Sequence, residues 1–541
     1  MRNEFLPKKI FNRYFLALLA GLLLAASFPK LSIAGFAWIA HGLILFCGVG
    51  KTSRQQFWIG YVAGSTYYLA SLHWLLFIPF PAGAIAGWLA LSAYLAFYPA
   101  IWVWLCWKVF RKISGGNEPK TFLNTTWKQR AIWSMSCAVI WVALEMAFAR
   151  IISGFPWNFL GITQYKLVPL LQIASFTGVY GVSFLLVWFG VSLCCAGMLM
   201  VQRPQPSRAW SGEIILPALV AAAIFFWGSR QISREAPSTR TMKVALIQPS
   251  IPQTLIFDPS QNETRFEKIM ELSRKALVEK PDVLIWPEAS IPPLEEEQFR
   301  ALTNLIVSHG VWMIFGADDV GISPTSDAGW ETNYYNSSFL FSPAGEAVAT
   351  YRKRRLVIFG EYIPLERWMP FMKWLTPIEG GFTAGAGPVQ FQIESPRAKV
   401  STLICFEDAF PHYAREHVET DTDFLLNLTN DGWFGERNAQ WQQAFNAIFR
   451  AIENGLPIVR CTNNGLTCWA DKHGRIGTIF DDGTGNVYSA GFMIAEIPLL
   501  SAGEKRPPTF YRQHGDWFGW SCVAIASGLL LLSRQKKPTA N

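Results

Sequence analysis

The sequence predicts two parts: a polytopic α-helical membrane domain of about eight transmembrane helices, and an extramembrane α/β domain. Three observations carry that prediction. Hydrophobic residues make up 51% of the 541 positions and charged residues only 16%, where a soluble domain carries about a quarter charged. Long apolar runs crowd the first half of the chain and return once near its end. Between them, over about 241–500, short runs of branched residues alternate with amphipathic patterns, as in a sheet covered by helices.

The apolar runs place spans at about 14–28, 33–49, 57–79, 83–107, 131–149, 170–200 and 213–228, and an eighth at about 517–533. The first and last are short against the roughly 20 residues a bilayer needs. The first also has the basic start and small-residue end of a signal peptide, but the spans that follow favour an uncleaved helix. Loop charge orients the set. Lys8, Lys9 and Arg13 precede the first span, Lys51 and Arg54 follow the second, and Lys108, Arg111, Lys112, Lys120, Lys128 and Arg130 follow the fourth. Arg203 and Arg208 follow the sixth, and Arg534, Lys536 and Lys537 follow the last. The alternate loops are nearly bare, so both termini are expected in the cytoplasm and the 241–500 segment outside. The 24 tryptophans suit long membrane–water boundaries. The expected division is 1–236 for seven helices, 241–500 for the extramembrane domain, and 509–541 for the eighth helix and a cytoplasmic tail.

The net charge of +8 does not indicate nucleic-acid binding, because the cations cluster beside apolar spans. The nine cysteines and seven histidines form no CxxC pair and no HExxH. Neither a metal, a cofactor nor a disulfide framework is therefore expected.

In the extramembrane segment, MKVALIQ (242–248), VLIWPE (283–288), VWMIFGA (311–317), VSTLICFE (400–407), DFLLNLTN (423–430) and PIVRCTN (457–463) read as buried strands. The stretches 264–280 and 441–455 have helical patterns. Three reactive residues stand in or just after such runs: Glu288 closes VLIWPE, Lys353 lies in YRKRRLVIFGEYIP, and Cys405 closes VSTLIC. Singly, each has a plain structural reading: a cap acceptor, a member of a solvated basic run, a packed core thiol. Together they make a consistent acyl-transfer machine. The thiolate attacks, a nearby cation lowers its pKa, the carboxylate takes and returns the proton, and the ammonium with a backbone N–H holds the oxyanion.

The wording and order of these motifs resemble the nitrilase superfamily of carbon–nitrogen hydrolases, whose sites use a Glu–Lys–Cys triad. FPWNFLGITQY (155–165), KRRLVIFGEYIPLE (353–366), LTNDGWFGE (428–436), RCTNNGLT (460–467) and TFYRQHGDWF (509–518), set among eight spans, extend the likeness over essentially the whole chain to the bacterial apolipoprotein N-acyltransferases. The resemblance implies an αββα nitrilase-like sandwich for 241–500. It also implies Cys405 as nucleophile, Glu288 as general base and Lys353 as oxyanion-stabilising lysine. Glu361 matches a second family glutamate, and Glu407 another, which could equally be a strand-end salt-bridge partner. Phe406, Trp433, Phe434, Asn336 and Trp374 are the substrate-contact candidates. Asn430, Asn463 and Asn464 are weaker ones that also suit turns.

The implied activity is transfer of an acyl chain from a phospholipid, expected to be phosphatidylethanolamine, through a cysteine thioester to the α-amino group of a diacylglyceryl-cysteine apolipoprotein. A monomer in the inner membrane with a periplasmic catalytic domain is expected. The rival reading is a membrane-anchored nitrilase-type amidohydrolase. Three departures from the family pattern bear on substrate choice: Ile358 stands where proline is usual, Phe257 where tryptophan is common, and Glu436–Trp441 replaces a Gly-Pro and histidine segment. LERWMPFMKWL (365–375), with Phe371 and Trp374, reads as a lipid-dipping arm or a packed helix. GGFTAGAG (380–387) reads as a flexible loop. Glu145, inside span five, is expensive in hydrocarbon and is expected in a polar packing network.

Overall fold

A computed structural model describes the chain except residues 1–11, 116–123, 203–210, 235–237, 257, 290, 292–293, 325–329, 365–380, 502 and 535–541. Phe257 and the arm 365–375, with Phe371 and Trp374, lie outside the described residues. The chain divides into two compact units: 1–73, 87–233 and 516–541 form the first, and 74–86 with 234–515 the second.

The first unit is helical. Arg13–Ala26, Ala40–Cys47, Ser53–Ser71, Pro81–Ile113, Trp127–Phe148, Val179–Gln202, Ser211–Ser233 and Trp517–Arg534 are its principal helices. Thr52 and Thr126 open two of them with capping boxes closed by Gln55 and Gln129. Among the described residues, Pro81–Ile113, Trp127–Phe148, Val179–Met200 and Gly212–Ser233 are long and apolar enough to cross a membrane. The expected span 33–49 is a 3₁₀ turn, Ala34–Trp38, followed by the short helix Ala40–Cys47. The expected span 170–200 begins as two short helices, Val168–Leu171 and Ala174–Thr177, and runs straight only after Gly178, which sits at φ 69°. Apolar composition does not register such breaks.

Helix pairs approach closely at small residues. A Cβ on Gly60 would lie 2.5 Å from the Pro99 carbonyl oxygen, and one on Gly64 3.0 Å from that of Ala96, the small-xxx-small contact of packed membrane helices. Glu145 is buried and accepts from Trp141 Nε1 at 3.0 Å and from the Leu160 N–H at 2.9 Å. It thereby secures the backbone of the FPWNFLG segment. Arg150 pairs with Asp516, and Trp517 Nε1 donates to the Phe176 carbonyl at 2.8 Å, which ties the last helix into this unit.

The second unit holds two six-stranded sheets. In chain order the strands are β1 (Thr241–Gln248), β2 (Val283–Ile285), β3 (Trp312–Pro324), β4 (Trp330–Phe341), β5 (Ala347–Arg352), β6 (Gln390–Glu394), β7 (Arg397–Ile404), β8 (Phe424–Thr429), β9 (Ile458–Thr462), β10 (Cys468–Ala470), β11 (Ile476–Ile479) and β12 (Gly491–Pro498). One sheet has the order β12-β1-β2-β3-β4-β5, the other β11-β10-β9-β8-β7-β6. The central pairs β1–β2–β3 and β7–β8–β9 are parallel, and the outer ones antiparallel.

The two-residue period of a strand builds the layers. Val244 and Leu246 face Val400, Leu426 and Val459 in a core between the sheets. Their neighbours Ala245 and Ile247 turn outward beneath Phe266 and Ile269 of helix Asn262–Leu277 and Leu302 and Ile306 of helix Glu296–His309. On the other sheet, helix Ala439–Asn454 buries Ala444 against Leu466 and Cys468. The result is the αββα sandwich expected of a nitrilase-like domain. The sheets leave Glu288, Lys353, Cys405 and Asn430 just beyond the C-terminal ends of β2, β5, β7 and β8, where strand ends expose groups to a common cleft.

Candidate active site

Cys405, Glu288 and Glu361 sit on or near backbone turns that an ordinary residue adopts at a cost. Cys405 itself has φ 51° at the start of the 3₁₀ turn Cys405–Ala409. Ala289, next to Glu288, has φ 49°, and Phe359, two before Glu361, has φ 60°. Left-handed conformations at non-glycine residues persist only when their surroundings enforce them, and they gather at functional sites. Gly316 of β3 provides room for one of these turns, since a Cβ there would lie 2.7 Å from the Glu288 Cα.

Lys353 is 1% exposed and stands between two carboxylates. Its Nζ donates to Glu361 Oε1 at 2.9 Å and to Glu288 Oε1 at 3.3 Å. Asn336 bridges the same pair, its Nδ2 donating to Glu288 Oε1 at 2.7 Å and Glu361 Oε1 at 2.9 Å. The Asn430 N–H donates to Glu288 Oε2 at 2.9 Å, and the Val357 N–H to Glu361 Oε2 at 2.8 Å. Burial works to lower the lysine's pKa, but Glu361, Glu288 and Cys405 outweigh it and hold the ammonium well above its ordinary value. Lys353 is thus a fixed positive charge.

The half-buried Cys405 thiol is electrostatically coupled to Glu288, Lys353, Glu361 and Asp431. Burial, and then the Glu288 charge, push its pKa well above the ordinary thiol value, and Lys353 opposes this without cancelling it. The cation does lower the thiol pKa, as expected, but burial and the two carboxylates that accompany it outweigh that effect. The resting sulfur is a neutral thiol, electrostatically coupled to Glu288.

Glu407 makes no ion pair with Lys353. Fully buried, it accepts from the Ile404 N–H at 2.8 Å, the Arg354 N–H at 2.8 Å, the Arg355 N–H at 3.0 Å and the Tyr351 hydroxyl at 2.9 Å. Burial raises its pKa, and the backbone donors work against that rise. One carboxylate therefore fastens the cysteine turn to the segment carrying Lys353. Phe406 stacks edge-on against Phe410 at 4.9 Å, and Phe434 against Trp74 at 4.5 Å. Trp433 is half-buried on the turn Asp431–Phe434. Asn463 holds Ile251 and Asn430 through its side chain, and Asn464 reaches Ser250, so both order loops at the cleft.

The sequence reading missed a second charged cluster below the cysteine. Arg460, 1% exposed on β9, pairs with Asp408, reaches Asp431 Oδ2 at 3.4 Å and donates to Asn427 Oδ1 at 2.9 Å. Asn427 Nδ2 in turn donates to the Cys405 carbonyl at 3.0 Å. Burial pushes Asp408 up to about 7 and Asp431 up to about 6, against the pull of Arg460. The signal was present: an arginine within a buried-strand pattern requires a buried partner. Asp318 of β3, raised to about 6 by burial and then by Glu288 and Glu361, is a further acid at the cleft.

Residues 20–192 match the family described as the apolipoprotein N-acyltransferase N-terminal domain, and residues 243–506 match carbon-nitrogen hydrolase. An apolipoprotein N-acyltransferase from Geobacter metallireducens is 33% identical, over 97% of this chain and 96% of its own length. The chain belongs to the apolipoprotein N-acyltransferase family. Another family member, from Vibrio vulnificus, is 30% identical over 95% of this chain and 96% of its own. Among solved structures, a mutant of the nitrilase-superfamily amidase from Nesterenkonia AN1 is similar at 16% identity and a TM-score of 0.36, covering 52% of this chain and 95% of that one. As a member of the apolipoprotein N-acyltransferase family, the chain is an acyltransferase of the carbon–nitrogen hydrolase superfamily and a membrane protein.

Proposed function

We propose that the chain moves an acyl chain from a phospholipid to the N-terminal amine of a diacylglyceryl-cysteine apolipoprotein through a thioester on Cys405. The observation that carries this reading is the Lys353 ammonium held between Glu288 and Glu361 beside the Cys405 thiol. In the first half-reaction Glu288 removes the thiol proton as sulfur attacks the sn-1 ester carbonyl. Lys353, with the Phe406 N–H, stabilises the tetrahedral oxyanion; losing one such donor costs roughly 100- to 1,000-fold in rate. Collapse breaks the ester C–O bond, Glu288 returns its proton to the departing alkoxide, and a lysophospholipid leaves. In the second, the acceptor amine attacks the thioester, Glu288 takes the amine proton, and the thiolate departs and is reprotonated. Phe406, Trp433, Phe434 and Trp374 are assigned to the acyl chain, and Asn336 and Glu361 to positioning Glu288 and Lys353. Glu407 positions Cys405 and Lys353 through the backbone.

In this reading residues 1–236 and 509–541 form eight crossings of the bacterial inner membrane, and 241–500 is the periplasmic catalytic domain of a monomer. Phosphatidylethanolamine is the expected donor. Intact-mass measurement of purified protein with phospholipid and no acceptor tests it. A gain of one acyl chain on Cys405, discharged by a diacylglyceryl peptide, is the expected result. Free fatty acid with no acylated peptide would overturn the transferase in favour of a hydrolase.

A further inference from the structure

The segment Glu436–Trp441, where the chain departs from the family pattern, carries an exposed cation, Arg437. This residue follows the Asp431–Phe434 turn, whose neighbour Asn430 donates to Glu288. Its guanidinium lies 4.3 Å over the Phe77 ring, within the same compact unit. Its backbone is held on both sides. The N–H donates to the Gly435 carbonyl at 3.0 Å, and the carbonyl accepts from the Tyr488 hydroxyl at 3.1 Å, which itself accepts from Trp441 Nε1 at 3.1 Å.

Several other arginines of this unit have a carboxylate partner, whereas Arg355, like Arg437, lies over aromatic rings, those of Phe410 and Tyr413. Arg352 has Asp319 at 2.7 Å, Arg354 has Glu416 at 2.8 Å, and Arg460 has Asp408 and Asp431. Among the described residues Arg437 has no carboxylate partner. Its aromatic support, Phe77, is 42% exposed, and the adjacent Leu76 is 38% exposed. A pre-positioned guanidinium beside exposed apolar side chains has the footprint of a molecule with a phosphate next to hydrocarbon, because arginine matches phosphate geometry and stacks on rings at the same time.

We propose that Arg437 binds the phosphodiester of the acyl-donor phospholipid. This rests on the acyl-transfer reading above and adds a specificity residue to it. The two substrates differ in this group: the donor carries a phosphate next to its glycerol, and the diacylglyceryl-cysteine acceptor does not. Arg437 therefore acts in the first half-reaction and is silent in the second.

The test follows Cys405 acylation by intact mass in the full-length protein, with phosphatidylethanolamine or with p-nitrophenyl palmitate, an ester lacking phosphate. A second arm follows discharge of preformed acyl-enzyme to a diacylglyceryl peptide. R437Q is expected to slow acylation from the phospholipid roughly five- to tenfold and to leave both other rates unchanged. R437K should recover part of the loss, and added salt should shrink the difference between wild type and R437Q. Equal slowing with both donors would assign Arg437 a purely structural role, and unchanged phospholipid acylation would remove it from recognition; either overturns the proposal. Wild-type protein that takes no acyl group from phospholipid would instead overturn the acyl-transfer reading, and this assignment with it.

Discussion

At the scale of single residues, the thiol's electrostatics make a prediction in which charge and catalysis move apart. Cys405 holds its proton well above the ordinary thiol range because of burial and then Glu288, with Lys353 opposing. Alkylation by iodoacetamide reads the thiolate fraction, so its rate should rise about tenfold per pH unit, without a plateau below about pH 9. Glu288→Gln removes a charge that raises the thiol pKa, so alkylation at pH 8 should become faster. Acyl transfer should nevertheless fall roughly 100- to 10,000-fold with the loss of the general base. Lys353→Gln removes the charge that lowers the thiol pKa, so both alkylation and transfer should slow. Alkylation moving in the same direction in both variants would refute this electrostatic arrangement. The triad was legible because each member ends or follows a strand-like run in a distinctive phrase. The network around it was less so. Asn430 acts through its backbone N–H, a donor that every non-proline residue has, and no side-chain pattern announces it. Arg460 was overlooked because its strand reads as apolar on either side.

At the scale of elements, Glu407 is the joint between two sheets. It gathers N–H groups from the end of β7 and from the segment after β5, together with the Tyr351 hydroxyl of β5. Glu407→Gln keeps the shape but turns an NH₂ group toward donors, leaving at least one buried N–H unpaired. A buried donor so stranded costs about 1–3 kcal/mol, equivalent to a drop in melting temperature of roughly 2–10 °C for a domain of this size. Thermal unfolding should show that loss, and thioester formation should slow even at temperatures where the variant remains folded. A variant with wild-type acylation and wild-type melting would deny the joint. The central parallel strands β1, β2, β3, β7, β8 and β9 were legible as branched, apolar runs, since both faces of each are covered. β4 and β5 were not: their alternation is broken by partly exposed polar residues such as Asn333 and Thr350, and by Asn336, which is buried among the site carboxylates. β11 and β12 have the same mixed exposure.

At the scale of the whole molecule, the first and last strands of the αββα unit are partners. β1 and β12 pair antiparallel from Thr241↔Pro498 to Gln248↔Gly491, and Ser238 Oγ donates to the Leu499 carbonyl at 2.7 Å. The chain therefore enters and leaves the sandwich at adjacent points. The loop-charge rule predicts the domain on the outer side and the loop holding Lys51 and Arg54 in the cytoplasm. The orientation is testable with a membrane-impermeant maleimide in a Cys405→Ala background. Thr484 lies on an exposed turn of the αββα unit, and Ser53 begins the helix after the basic loop. Thr484→Cys should label in intact spheroplasts, whereas Ser53→Cys should label only after permeabilisation. The reverse pattern would put the acyl-transfer site in the cytoplasm. The loop-charge bias would then have failed as an orienting signal.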